Sequence, residues 1–214
     1  MTKEELVERV RTEILDDGNA PYVWSDVEML KWADEACIEA CKRAPLLVGT
    51  TTIDVVADVA EYTMDSAVRQ ILEAKLDSQT NPLNHTTTDD LVLGVGLAWQ
   101  TWTGTPTHYV RRNKTITLYP APLVNDTLII KSTLIPSLDF CLETDFDEDN
   151  QHGLMFYIAY KAYLKRDADA YAPDRAADMF AKFNAFYGLP KTSKWHLLAQ
   201  EMPLNATMMG GRMA

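Results

Sequence analysis

The spacing of apolar residues changes twice along the chain. Leu6, Val7, Val10 and Ile14 recur at helical intervals, and Thr2 with Glu5 forms a capping box that predicts where this helix begins. Gly18 and Pro21 end it. The next segment carries the clearest helix signal. Ser25 and Glu28 make a second capping box, and Trp24 before the cap can staple onto Met29 after it. Met29, Ala33, Ala36, Cys37, Ala40 and Ala44 then fall on one stripe, whose small side chains allow close approach of another helix. Pro45 stops it.

From residue 50 the period shortens. Residues 50–56, 115–120 and 127–135 read as strands, with turns at 112–114 and 122–126. Residues 67–77 fit either strand or helix, and the polar stretch 78–90 reads as a loop around Asn81-Pro82. Helical spacing returns after the acidic residues 144–149, which suit the positive end of a helix dipole. Leu154, Met155, Ile158, Ala159 and Ala162 follow on one face. Pro173 opens a last helix, striped by Ala176, Phe180, Phe183 and Tyr187 and stopped by Gly188 and Pro190. The order predicts an α+β fold. Residues 1–49 and 137–188 form a helical bundle, residues 50–136 an inserted antiparallel β domain, and residues 189–214 an extended C-terminal docking arm.

Composition narrows the function. The 214 residues are 47% hydrophobic and 24% charged, enough to bury a core without disulfides or metals. The net charge of −11 argues against binding nucleic acid by neutralising phosphates. Residues 189–214 depart from the rest. They hold Lys191, Lys194 and Arg212 against the single acid Glu201, a balance of +2 that leaves −13 on residues 1–188. They also hold Trp195, Leu197, Leu198, Leu204 and four of the nine methionines. Disordered segments avoid such residues, whereas a flexible Met-rich stretch suits a groove on another protein.

Candidate chemistry is sparse. Cys37 and Cys41, one turn apart on an apolar face, read as small core residues, and Cys141 has no evident base. The acidic run from Asp145 has Asn150 and Phe156 where a calcium loop needs Gly and Glu. Gly94 and Gly96 are followed by Trp99 where the dinucleotide fingerprint needs a third Gly. His85, His108, His152 and His196 are dispersed. No cofactor or metal is expected, and catalysis is expected to be absent. The start of the chain lacks a secretory signal, and no apolar run is long enough to cross a membrane.

Three stretches carry a resemblance. Asp26, Leu30 and Asp34-Glu35-Ala36 precede Arg43-Ala44-Pro45. Pro106-Thr107-His108-Tyr109 precedes Leu118-Tyr119-Pro120-Ala121-Pro122 and Leu128-Ile129-Ile130-Lys131. Phe146-Asp147-Glu148 precedes Tyr157, Ala159 and Tyr160. In these features the chain resembles the head-to-tail adaptor proteins of short-tailed bacteriophages, the tail tubular protein A type. Asp34 stands where that family usually has Asn, and residues 78–90 match none of its motifs.

The resemblance implies a structural virion protein. It would form a ring, expected to be a dodecamer, at the portal–tail junction, after assembly in the host cytoplasm. Its expected partners are copies of itself, the portal protein and a tail or nozzle protein, with genomic DNA passing through the channel without specific binding and no membrane contact. Portal binding is expected from Trp195, Leu198, Met202, Leu204, Met208, Met209, Arg212 and Met213. Contacts between subunits are expected from Trp24, Met29, Trp32, Phe180 and Phe183. Two readings compete: a head-completion protein of a long-tailed phage, and a small cytosolic enzyme with an unrecognised site.

Overall fold

The computed structural model describes residues 1–136, 146–166 and 171–189. Helix α1 (Lys3–Val10) runs on into a π-helical turn (Arg11–Leu15), and α2 spans Asp26–Arg43. Strands β1 (Val48–Val55), β2 (Glu61–Thr63), β3 (Val68–Leu76) and β4 (Asn84–His85) follow. Helix α3 (Thr88–Val95) and a 3₁₀ turn (Leu97–Thr101) come next. They lead to β5 (Thr103–Gly104), β6 (His108–Arg112), β7 (Thr115–Tyr119), β8 (Ala121–Pro122) and β9 (Asp126–Leu134). Helices α4 (Glu148–Leu164) and α5 (Pro173–Tyr187) complete the α+β fold. The chain divides into two compact units, one built from Met1–Val48 with Leu134–Lys191 and the other containing Gly49–Thr133.

In the helical unit both capping boxes form as the sequence predicts. Thr2 accepts from the Glu5 amide while Glu5 accepts from the Thr2 amide, and Ser25 and Glu28 do the same. Helix α4 packs on α5, α2 and α1, and α1 also packs on α2. The predicted stripes supply the core. Leu6, Val10, Met29, Ala33, Ala36 and Ala40 meet Leu154, Ile158, Ala159, Ala162 and Phe183, all fully buried. Cys37 and Cys41 lie in the same core. Gly153 lets α4 approach α5, because a Cβ there would lie 2.6 Å from ring atoms of both Phe186 and Tyr187. Gly188 stops α5 with φ 87°, a conformation that favours glycine.

The second unit holds three sheets, with strand orders β1-β9-β3, β2-β7-β6-β4 and β5-β8. Strands β6 and β7 form the expected antiparallel hairpin, with Val110 opposite Thr117 and Asn113 at φ 50° in the turn. Leu118, Ile116, Leu128 and Ile130 are buried. A smaller cluster gathers Leu91, Trp99, Val110 and Tyr119, with the Trp99 and Tyr119 rings edge-on at 6.0 Å.

Three expectations change. Residues 67–77 resolve as strand β3, whose ends Val68 and Leu76 are both buried. The stretch 78–90 is more than loop, for it holds β4 and the first turn of α3. Pairing is mostly antiparallel, but β4 runs parallel to β6 and β5 parallel to β8. A two-residue pairing buries too little apolar surface to leave a periodic signal, so these bridges cannot be read from spacing.

Candidate interaction surfaces

Buried charge organises the helical unit. Arg11 sits at the junction of α1 and the π turn, as the first residue of that turn. Its guanidinium donates to Asp17 Oδ2 at 2.5 Å, to the Trp24 carbonyl at 2.6 Å and to Asp26 Oδ1 at 2.8 Å. It also lies 4.2 Å from the centre of the Tyr22 ring. Asp17 Oδ1 accepts from the Val23 amide at 3.0 Å, so one buried ion pair fixes the whole α1–α2 connection. Arg43 does the same at the other end of α2. It pairs with Glu39 at 3.1 Å, donates to Asn184 Oδ1 and to the Gly188 carbonyl, and lies over the Phe183 ring at 4.6 Å. Guanidinium suits both sites, since it stacks on rings while forking to several acceptors.

Ion pairs shift two groups, with Lys165 holding Glu28 below its ordinary value and Glu35 holding Lys161 above its own, while burial shifts others. Desolvation pushes the Cys37 thiol up to about 12, with Cys41 beside it adding to the effect. A thiol so held stays protonated and is a poor nucleophile. Desolvation, reinforced by Arg111, holds His85 below its ordinary value, and its ring packs 5.3 Å from that of Tyr109. Among the described residues, no group of three or more His, Cys, Asp or Glu could hold a metal ion. No described helix is long and apolar enough to cross a membrane.

Apolar side chains left in solvent mark the outer faces. In the second unit Leu93 on α3 and Leu97 on the 3₁₀ turn are each 86% exposed, and Trp102 beside them is half exposed. Val56, Val59, Leu123 and Val124 are also exposed on two neighbouring loops. Those loops are joined where the Asp58 amide donates to the Pro122 carbonyl at 2.7 Å and the Ala57 amide to Asn125 Oδ1 at 2.9 Å. A cavity of about 240 Å³ lies under Trp99, lined by Val110, Leu118, Arg112 and Glu61.

The residues expected between subunits divide into two groups. Trp24, Met29 and Phe183 are buried in the chain's own core, where Trp24 Nε1 donates to the Ala162 carbonyl at 3.2 Å. Periodicity marks a residue as facing apolar surroundings but cannot say whether its own chain or a neighbour supplies them. Trp32 and Phe180 are half-buried and keep surface for a partner. Trp195, Leu198, Met202, Leu204, Met208, Met209, Arg212 and Met213, like Cys141, lie outside the described residues.

The sequence reading passed over α3 and its exposed leucines. A signal was present: Thr87 caps the helix by accepting from the Asp90 amide at 3.1 Å and donating to its carboxylate at 2.8 Å. This Thr-x-x-Asp pattern ahead of an apolar run is a sequence signature of a helix start. Arg11, Asp17 and Arg43 left no signal, because a charged residue looks the same in sequence whether buried or solvated.

Comparison with known families places this architecture. No curated protein sequence matches the chain. The model of one family, the SU10 adaptor protein, matches residues 1–202. The match covers both compact units, and the chain belongs to the SU10 adaptor family: it is a phage adaptor protein with a structural role in the virion.

Proposed function

We propose that the protein forms a ring, expected to be a dodecamer, between the portal and the tail of the virion, around the DNA exit channel. Membership of a phage adaptor family is the observation that carries this reading. Its partners are then copies of itself, the portal protein, and a tail or nozzle protein. Of the five residues expected between subunits, Trp32 and Phe180 keep surface for a neighbouring subunit. Trp195, Leu198, Met202, Leu204, Met208, Met209, Arg212 and Met213 serve as the portal-binding set, since that stretch combines apolar length with a small positive charge. Leu93 and Leu97 are the surface for the tail side, because both side chains are 86% exposed and no described residue covers them.

The charge supports the same reading. A body with −13 around a DNA channel repels phosphate and lets the genome pass without sticking. A ring whose lumen is lined with Lys and Arg contradicts this.

Mixing the purified protein with purified portal rings tests the proposal. Electron microscopy is expected to show a twelvefold complex, lost when residues 194–214 are deleted. A monomer indifferent to portal, under conditions where both proteins are folded, overturns it.

A further inference from the structure

The three-stranded sheet β1-β9-β3 ends in two edges. Backbone bonds fix what each edge presents. The Leu134 amide donates to the Leu47 carbonyl at 2.8 Å, and the Asp77 amide to the Thr127 carbonyl at 2.9 Å. The start of β1 therefore meets the end of β9, and the end of β3 meets its start. Both outer strands run antiparallel to β9 and point the same way. In such a ladder, successive residues turn their N–H and C=O to alternate sides. Odd-numbered residues of β1 and β3 face β9, and even-numbered ones face outward.

The fold closes part of each edge. On β3 the Val68 carbonyl accepts from Arg111 at 3.1 Å and the Ala74 carbonyl from the Leu83 amide at 2.7 Å, which leaves Gln70 and Leu72 open between them. Leu72 is 48% exposed. Just past β1 the Tyr62 hydroxyl accepts from the Val56 amide at 3.1 Å. Thr50, Thr52 and Asp54 remain, all exposed, with no described strand beside them. The strand reads Val-Gly-Thr-Thr-Thr-Ile-Asp-Val. It has neither the Lys nor the Pro with which proteins block an edge, and its β-branched run suits pairing. Such an edge asks for extended backbone from another chain.

We propose that β1 of one copy pairs with β3 of the next. The pairing rests on the ring reading, because a head-to-tail contact that closes uses both edges of every copy and leaves none open. The small rotation between ring neighbours preserves strand direction, so the pairing is parallel. The register sets Thr50 opposite Ile71 and Asp54 opposite Lys75. Thr50 then donates to the Gln70 carbonyl and accepts from the Leu72 amide. Asp54 and Lys75 have no ion-pair partner among the described residues, whereas a slip of two residues sets Asp54 against Glu73.

Cysteines at positions 50 and 71 test the contact in the assembly formed on portal rings. Within one chain β9 separates the two positions by about 10 Å, beyond the roughly 7 Å between Cα atoms that a disulfide spans. Oxidation of Thr50→Cys with Ile71→Cys is expected to give a ladder of linked subunits, while each single variant stays at the parent's background. Hydrogen exchange on the unsubstituted chain reads the same contact. The Thr50 and Leu72 amides are expected to slow by about tenfold or more from free subunit to ring. Linked dimers from Thr50→Cys alone pair β1 with β1 and overturn the proposal. Slowed exchange at Thr50 without Leu72 assigns β1 to a strand of another protein and also overturns it. A ring with neither ladder nor slowed exchange overturns the pairing and leaves the ring reading standing. Failure to assemble on portal overturns both.

Discussion

Adding one methyl group at two helical glycines is expected to move stability in opposite directions. At Gly153 the new Cβ meets Phe186 Cδ1 and Tyr187 Cε2 at 2.6 Å and Tyr187 Cζ at 2.7 Å. Carbon atoms rest at about 3.5–4.0 Å, so the rings must retreat by roughly 1 Å. Phe186 is 45% exposed and can swing into solvent. Tyr187 cannot, for its hydroxyl donates to the Asn150 carbonyl and its ring packs 4.9 Å from the fully buried Phe183. Overpacking of this kind costs about 1–3 kcal/mol, and losing the tyrosine's hydrogen bond adds about 1 kcal/mol. Alanine's better helix propensity returns about 1 kcal/mol. Gly153→Ala should therefore destabilise the helical unit by about 1–3 kcal/mol. At Gly94 on α3 a Cβ meets nothing within 4 Å, so only the propensity gain remains, up to about 1 kcal/mol. Urea unfolding followed by circular dichroism reads the first change, and hydrogen exchange along α3 reads the second. With m unchanged, a midpoint for Gly153→Ala equal to or above that of the parent refutes the close-approach argument.

Further outcomes follow from the buried charges and the thiol. Arg11→Ala leaves the Asp17 carboxylate buried without its cation and is expected to cost about 3–5 kcal/mol, whereas Arg11→Met with Asp17→Asn costs clearly less; chemical denaturation of the two variants compares them. Cys37 has a folded pKa of about 12 against 9.0 for the free thiol, so the folded state keeps its proton where the unfolded state loses it. Stability is full below pH 9 and falls between pH 9 and 12, by up to about 1.4 kcal/mol per pH unit. Melting temperatures from pH 8 to 11 should fall less steeply in Cys37→Ala, and equal slopes would exclude Cys37 as the source. Leu93→Asp with Leu97→Asp should leave the melting temperature within a few degrees of the parent, because both side chains are in solvent. The same variant should lose binding to the tail-side protein in pull-down, and retained binding removes this surface from the proposed function.

Local rules made the helices legible. Both capping boxes, the Met29–Ala40 stripe, the Leu154–Ala162 stripe and the stop at Gly188 depend on residues within one or two turns of each other, and all stand in the fold. The β6–β7 hairpin was legible for the same reason, since its turn and alternation lie within a dozen residues. Helix α3 has a readable cap at Thr87, but Gly94 and Gly96 cut its apolar run short of a helical period.

By itself the sequence determined the four bundle helices and the β6–β7 hairpin, and that the charge lies on the body while residues 189–214 carry the opposite sign. Only the tertiary structure decided which apolar residues stay on the surface. Trp24, Met29 and Phe183 look no different from Trp32 and Phe180 in sequence, yet the first three are covered by α4 and its neighbours while the last two keep exposed area. It likewise decided that Arg11 and Arg43 are buried clamps and that Gly153 is a contact point. The reason is physical. Periodicity reports the direction a side chain takes from its own helix, and burial depends on what the rest of the chain brings to meet it.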